Sequence, residues 1–151
     1  MSISTLERPP RIRGLRREKA QQLHVLVERV ADEAGLLPSD IYGPSQDSYA
    51  VAYRRALWWC FREGYGMTLA DIGRVFTGRA GEYSHTSVMA GIRKVREVKL
   101  EEWSERKGTW VIGGTESPSG EVRIREALQT VSEIWNHLNP SNQLRTWRNT
   151  A

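Results

Sequence analysis

The 151 residues, of which 39% are hydrophobic, suffice for one modest core with attached arms but hardly for two domains with separate cores. Lys and Arg outnumber Asp and Glu by 22 to 18, and the net charge of +4 favours an anionic partner such as nucleic acid or an acidic membrane surface. The single cysteine excludes an internal disulfide, and because no stretch approaches a membrane span or a secretory signal, we expect a cytoplasmic protein.

Residues 1–19 are predicted to form a flexible basic arm. Two prolines and a glycine oppose a regular helix there, and six positive side chains stand against two acidic ones. A solvated tail that only maintains solubility is the alternative that charge leaves open.

Apolar residues at steps of three and four predict a first helix over residues 19–34, which Gly35 ends. Ser39 or Asp40 can then cap a short turn after Pro38, and Gly43 to Ser48 is predicted to be a loop.

A second helix is predicted from Ser48 to Gly64 or Gly66. Its five successive apolar residues, 57–61, cover the whole circumference of a helix. Other elements must therefore contact it from several sides, which makes it the candidate for the centre of the core.

Two further amphipathic helices follow, joined by a glycine-containing loop of about seven residues. Thr68 and Asp71 form a capping-box-like pair at the start of the third helix. Ser84 can cap the fourth. The apolar stripe of the fourth helix is Val88, Ile92 and Val95. This arrangement is typical of a helix-turn-helix.

Beyond about Lys107 the composition indicates a loop with a brief extended piece at 110–112, and then a last helix at 121–138 with a wide apolar face. That face either serves dimerisation or polymerase contact, or folds back to cover Trp103 or Trp110. We therefore predict an all-α fold, a compact helical domain containing a helix-turn-helix, with a basic N-terminal arm and an additional C-terminal helix. The predicted division is a basic arm (1–19), a helix-turn-helix domain (20–107), a linker (108–120) and a C-terminal helix with tail (121–151).

Catalytic and metal sites find little support in the sequence. His24, His85 and His137 are far apart, and no pair of cysteines or cluster of carboxylates has ligand spacing. Ser84, His85 and Ser87 are helix neighbours that point in different directions and cannot readily share a proton. We therefore expect neither an enzyme nor a metal nor a cofactor.

The fourth helix carries a face suited to DNA. If its apolar stripe faces the core, then His85, Thr86, Met89, Ala90 and Arg93 project elsewhere. Hydroxyls and an imidazole can hydrogen-bond base edges in a major groove. The flanking backbone can be neutralised by Arg93, Lys94, Arg96 and Lys99. The alternative is that Ser84 merely caps the helix and the basic residues form an ordinary solvated face.

Four segments, "VADEAGLLPSDIYG", "AYRRALWWCFRE", "TLADIGRVF" and "GR" followed later by "HTSV", occur in this order. Together they resemble the C-terminal DNA-binding domain of the bacterial replication initiator DnaA, a helical domain with a Trp-repressor-like helix-turn-helix. The resemblance covers Leu26 to Val95. It implies base readout by His85, Thr86 and Ser87, and backbone contacts by Arg54 and Arg79. The predicted DNA-binding set is Arg54, Thr68, Arg79, Ser84, His85, Thr86, Ser87, Arg93 and Lys94.

This chain departs from the family pattern in two places. Four residues, 80–83, form an apparent insertion before the fourth helix, where the signature aspartate is replaced by Ser84 or lost. The loop before the central helix, "GPSQDS", carries none of the family's positive charge. We hypothesise that the basic arm supplies the missing minor-groove or phosphate contact. The arginines assigned to it are Arg11, Arg13, Arg16 and Arg17.

No nucleotide-binding module precedes the domain in this sequence, so we expect a stand-alone binder of double-stranded DNA. A transcription regulator of phage or mobile-element type is the main interpretation, with RNA polymerase or a second copy of the chain as candidate partners of the last helix. A replication-origin-binding accessory protein is the alternative, and a protein-interaction adaptor that has lost DNA binding is a third.

Overall fold

The computed structural model describes the backbone of residues 17–78, 81–99, 103–104, 109–112, 115–116 and 119–144. Side chains are described at 17–76, 81–97 and 123–144. The predicted contact residues that lie outside are Arg11, Arg13, Arg16 and Arg79. Within the described part of the chain, no helix is both long and apolar enough to cross a membrane.

Six α-helices form the body of the described chain, which confirms the predicted all-α helix-turn-helix class, and five short strands accompany them. The elements in chain order are α1 (Arg17–Ala34), α2 (Pro38–Tyr42), α3 (Ser48–Cys60), a π-helical turn (Phe61–Tyr65), α4 (Leu69–Val75), β1 (Thr77–Gly78), β2 (Gly81–Glu82), α5 (His85–Lys99), β3 (Trp103–Ser104), β4 (Thr109–Ile112), β5 (Thr115–Glu116) and α6 (Ser119–Leu138).

The first helix buries the stripe that its spacing predicts and begins two residues earlier than expected, at Arg17. The core residues of α1 include Leu23, Leu26, Val27 and Val30, each at most 1% exposed. The N-cap of α2 is Leu37 instead of the predicted Ser39 or Asp40, and the Asp40 carboxylate accepts a hydrogen bond from the Leu37 backbone nitrogen (3.1 Å).

The central helix is α3, as its uninterrupted apolar run predicts. It contacts α2, α5 and α6 on different sides, and the four residues at its end are at most 4% exposed. Those residues are Leu57, Trp58, Trp59 and Cys60. The chain continues into the π-helical turn, and Gly66, with a left-handed φ of +68°, ends it at one of the two predicted positions.

The structure contains strand pairings that we did not predict from the sequence. The connection between α4 and α5 contains a β-hairpin in place of a plain loop, with Thr77 opposite Glu82 and Gly78 opposite Gly81. The predicted extended piece at 110–112 is confirmed as part of β4, which pairs with both β3 and β5 in a three-stranded antiparallel sheet. Short pairings of this kind leave little trace in hydrophobic periodicity.

The last helix folds back onto the body, as one of the two alternatives proposed. The side chains of Trp103 and Trp110, which it was expected to cover, lie outside the described residues. Buried residues of α6, among them Leu128, Val131 and Trp135, belong to the same core cluster as α1, α3 and α5. A Cβ atom on Gly64 would overlap the Trp135 ring, so the π-helical turn and the end of α6 are in close contact. Residues before and after position 107, where we predicted the end of the helix-turn-helix domain, therefore share one hydrophobic core.

A short network after α6 holds its end in place. The indole nitrogen of Trp135 donates to the carbonyl of Asn142 (2.6 Å), and the amide of Asn142 donates to the carbonyl of Gly64 (3.1 Å). These bonds connect the C-terminal turn to the π-helical turn, so α6 is attached by polar contacts as well as by apolar burial.

Candidate nucleic-acid interface

The first helix of the helix-turn-helix is α4, and it begins where the capping pair predicts. The hydroxyl of Thr68 accepts a hydrogen bond from the backbone nitrogen of Asp71 (3.1 Å), which satisfies one of the unpaired donors of the first turn. Ile72 and Val75 face the core, whereas Thr68 is exposed. The cap thus places an exposed hydroxyl at the N-terminus of α4.

Tyr83 attaches the inserted hairpin to this helix. Its backbone nitrogen donates to the carbonyl of Gly73 (3.1 Å), and a Cβ atom on Gly73 would overlap the Tyr83 carbonyl oxygen. The Tyr83 ring stands edge-on to Trp58, with 5.0 Å between the ring centroids. Sequence reasoning counted Tyr83 as part of an insertion and missed this role; a glycine inside the short helix α4 was the available signal.

The second helix, α5, starts from that point with an exposed polar turn. The hydroxyl of Ser84 accepts a hydrogen bond from the backbone nitrogen of Ser87 (3.1 Å), which confirms the predicted cap. Ser84, His85, Thr86 and Ser87 are all exposed, whereas the next residue, Val88, is fully buried. Four consecutive polar side chains are therefore accessible at one helix end.

Further along α5 the predicted stripe and the predicted outer face are both present. Val88, Ile92 and Val95 are at most 3% exposed, and Met89 and Arg93 face solvent. The guanidinium of Arg93 lies 3.7 Å from the sulfur of Met89, one turn back on the same face. The structure thus brings together the start of α5 and Arg93 on one exposed surface of the domain.

Arg54 requires a correction. The resemblance implies a contact with the DNA backbone, but the side chain is only 2% exposed. Its guanidinium donates to the carbonyls of Asp40 (2.9 Å), Ile41 (2.8 Å), Gly43 (2.7 Å) and Ser45 (3.0 Å). Desolvation by burial lowers the pKa of Arg54 from its ordinary value. Arg54 therefore holds the end of α2 and the following loop instead of reaching a phosphate. The sequence pattern places Arg54 in a helix but does not show that its side chain is buried.

A groove of about 500 Å³ lies between α3 and α5, beside the exposed start of α5. Two cationic side chains besides Arg54 line it: Arg55 from α3 and Lys94 from α5, both half-buried. Ser87 and Gln46 add a hydroxyl and an amide, and no carboxylate is among the described residues that line the groove. Lys94 thus belongs to the wall of this groove, whereas Arg93 belongs to the outer face.

Close helix packing forms the floor of this groove. A Cβ atom on Gly91 would lie 2.6 Å from Cε3 of Trp58 and 3.2 Å from Cγ of Arg55. The glycine therefore allows α5 to approach α3 closely enough for Arg55 and Lys94 to line the same groove. Sequence reasoning overlooked Gly91, although a glycine within a helical pattern is a recognised sign of close approach.

Other predicted cations have different surroundings. The guanidinium of Arg96 forms an ion pair with Glu63 of the π-helical turn (2.9 Å), on the exposed surface. Arg17, assigned to the arm, is exposed in the first turn of α1. Among the described residues, no group of three or more His, Cys, Asp or Glu side chains could hold a metal ion.

The helices that build this surface coincide with a known family of DNA-binding domains. The family model described as "Bacterial dnaA protein helix-turn-helix" matches residues 24–95. Residues 24–95 therefore form a DnaA-like DNA-binding domain. The DnaA-type domain thus extends from α1 into α5 and includes the hairpin between α4 and α5, whereas α6 lies beyond the matched segment.

Curated relatives agree with this assignment. The chromosomal replication initiator protein DnaA of Thermus thermophilus, in each of two strains, is 33% identical over 73 residues, which are 48% of this chain and 16% of the relative. That of Ruegeria pomeroyi is 34% identical over 87 residues, 54% of this chain and 18% of the relative. The matched part is thus less than a fifth of these relatives. No solved structure matches the chain significantly.

These matches bear on the functional interpretations from sequence. They support DNA binding as the general function of the DnaA-type domain. They do not support a transcription regulator of phage or mobile-element type, and the matched relatives are named for replication initiation. The replication alternative is therefore better supported than the main interpretation.

Proposed function

We propose that this chain is a sequence-specific double-stranded DNA-binding protein that recognises a replication origin or a site of that kind, as an accessory to other replication proteins. Its DnaA-type domain places the start of α5 in the major groove. The proposal includes no catalysis, metal or cofactor, and it assigns the protein to the cytoplasm, at the nucleoid.

One observation carries the proposal: the exposed polar turn from Ser84 to Ser87 stands directly before the buried anchor Val88. A major groove admits an α-helix, and short hydroxyls and an imidazole can bond base edges there. The free backbone amides of the first turn also attract phosphate oxygens. The segment that matches the DnaA helix-turn-helix includes this turn, which favours DNA contact over an ordinary solvated helix end.

The proposed contacts divide into two groups. Base edges are read by His85, Thr86 and Ser87, because they occupy the exposed first turn of α5. The DNA backbone is contacted by residues that flank this turn. The proposed backbone contacts are Thr68, Arg79, Ser84, Arg93 and Lys94, with Arg11, Arg13, Arg16 and Arg17 in the arm.

Arg54 has a positioning role in this proposal. Its four hydrogen bonds join α3 to the end of α2 and to the loop that follows it. Its guanidinium lies 5.7 Å from the Tyr83 ring centroid. Because Tyr83 also anchors the turn before α5, Arg54 stabilises the surroundings from which α5 projects. It supports DNA binding through Tyr83 and the loop, without touching DNA.

The replication assignment follows the relatives, whose printed name is chromosomal replication initiator protein. The chain covers 16% to 18% of their length, so the rest of their activity is not proposed for it. A dimer through the apolar face of α6 is not proposed either, since that face packs within the chain. An adaptor without DNA binding is the competing function.

Binding-site selection from random duplexes at near-physiological salt tests the proposal, because it examines binding and specificity together. We expect enrichment of one short motif. The matched control is the double variant His85→Ala/Thr86→Ala, which should enrich no motif while retaining weak binding to random duplex. Failure of the unmodified protein to retain any duplex would favour the adaptor instead.

The arm is tested separately by deletion of residues 1–16. If Arg11, Arg13 and Arg16 contact phosphates, the deletion weakens binding and lowers the dependence of log K on log salt by about 0.9 for each phosphate that the arm neutralises. An unchanged affinity and salt dependence would favour the solvated tail.

A further inference from the structure

The C-terminal helix brings a cation to the N-terminus of α3. The guanidinium of Arg123, in α6, lies 4.6 Å from the centroid of the Tyr49 ring and donates a hydrogen bond to the hydroxyl of Ser48. Tyr49 is 50% exposed, so this contact forms at the surface. Stacking on the ring occupies one face of the guanidinium and leaves N–H groups at its edge for a further acceptor.

Arg123 stands at the end of a surface that already carries positive charge. Ser48, Val51 and Arg55 follow one another at helix positions i, i+3 and i+7, which places them along one face of α3. Val51 and Arg55 line the groove shared with Lys94 of α5. From Ser48 to Arg55 the helix rises by about 10 Å. Arg123 thus lies at the start of this face of α3, and Arg55 and Lys94 lie at its other end.

The loop before α3 does not supply a cation at this end. Residues 43–48 contain no Lys or Arg, and their one charged residue is Asp47. The carboxylate of Asp47 caps α3 by accepting hydrogen bonds from the backbone nitrogens of Tyr49 (3.2 Å) and Ala50 (3.3 Å). An anionic ligand along α3 would therefore find its positive partner at this end in Arg123.

We propose that Arg123 binds a DNA phosphate, so that the DNA-binding surface extends beyond the matched segment 24–95 onto α6. The backbone strand that flanks α5 would pass along α3 from Lys94 and Arg55 to Arg123. A rise of about 10 Å along α3 is sufficient for Arg55 and Arg123 to contact neighbouring phosphates of one strand. Tyr49 and Ser48 hold the guanidinium in place, which reduces the entropic cost of binding. This inference rests on the proposed DNA binding.

The test compares affinities of the full chain and its variants for the selected duplex and for random duplex, by fluorescence anisotropy over a salt series. Arg123→Gln should lower the slope of log K against log salt by about 0.9 and weaken both duplexes equally, roughly eightfold at 0.1 M salt. Arg123→Lys should retain the slope, because it keeps the charge. Arg29→Gln, on the exposed surface of α1, is the matched control and should change neither quantity.

A merely structural Arg123 is distinguished by two further measurements. Ser48→Ala removes the hydrogen bond but keeps the charge, so its salt slope should equal that of the unmodified protein. A series of duplexes, each with one neutral methylphosphonate linkage, should contain a position that weakens the unmodified protein but not Arg123→Gln, because the two changes remove the same interaction.

The outcomes separate the two proposals. If the unmodified protein binds duplex with the same salt slope as Arg123→Gln and no linkage shows coupling, the inference is overturned and the proposed function stands. If the unmodified protein binds no duplex at all, both are overturned.

Discussion

At the scale of single residues, exposure separates side chains that can contact a ligand from those that only build the surface. His85 and Thr86 are exposed in the first turn of α5, whereas Arg54 is buried among carbonyl groups. All three matched the family pattern equally well in sequence. The four hydrogen bonds of Arg54 give it a positioning role, whereas the exposure of His85 and Thr86 leaves both accessible for the proposed base readout.

Base readout by His85 and Thr86 predicts a selective loss on mutation. His85→Ala or Thr86→Ala should each cost on the order of 1 to 3 kcal/mol on the selected duplex with little loss on random duplex, because base contacts alone carry sequence information. Arg93→Ala, which removes a proposed phosphate contact on the same helix, should weaken both duplexes and serves as the comparison. Binding titrations at one fixed salt concentration measure this, and equal losses on both duplexes for His85→Ala would refute base readout.

Gly91 is the second residue whose role depends on its surroundings. Gly91→Ala should destabilise the protein by about 1 to 3 kcal/mol, although alanine gains about 1 kcal/mol in helix propensity. The added methyl group would overlap Trp58, which is 4% exposed and also contacts Phe76 and Tyr83. Urea denaturation measures the change. In a Trp58→Leu background, where space is created, the cost should disappear; a cost that persists would contradict this explanation.

At the scale of elements, α6 is the part whose contribution is least visible in the family comparison. The matched segment ends before it, yet its apolar face closes the core against α3. An apolar face on a terminal helix is compatible with dimerisation and with folding back, since both bury the same residues. The contact between Gly64 and Trp135 decides between them, because it joins the π-helical turn to the end of α6 within one chain.

This packing predicts a large loss of stability on truncation of Trp135. The ring is fully buried, lies 4.7 Å from the Tyr65 ring centroid and donates a hydrogen bond to Asn142. Trp135→Ala should cost about 3 to 5 kcal/mol, because it removes apolar packing and leaves a cavity. Thermal or urea denaturation provides the measurement. Glu126→Ala, on the exposed side of the same helix, should remain within about 0.5 kcal/mol of the unmodified protein.

At the scale of the whole molecule, the single core predicts the state of association. Because the apolar face of α6 is used inside the chain, no large apolar helix face remains among the described residues to drive a stable dimer. We expect a monomer of 17.3 kDa at micromolar concentration in the absence of DNA. Sedimentation equilibrium would show this directly, and a mass of twice this value would return dimerisation to consideration.

The positions of most helices could be predicted from the sequence, because each depends on local chemistry. Steps of three and four apolar residues marked α1, α5 and α6, and the hydroxyls of Thr68 and Ser84 marked two helix starts. The exposed polar turn at Ser84–Ser87 also followed from this pattern, once Val88 was assigned to the core. The basic composition indicated an anionic partner, although not where it would bind.

Tertiary structure alone decided which residues meet. Four contacts join residues from different elements. They are the hydrogen bonds of Arg54 to four carbonyls, the bond of Tyr83 to Gly73, the packing of Gly91 against Trp58 and the contact of Arg123 with the Tyr49 ring. Periodicity reports only which side of an element is apolar, and it is silent on what lies opposite. The sequence by itself determined the helices and the polar turn of α5; the packing of α3 against α5 and α6 decided which cations reach the surface around that turn, because burial and distance arise only when the elements meet.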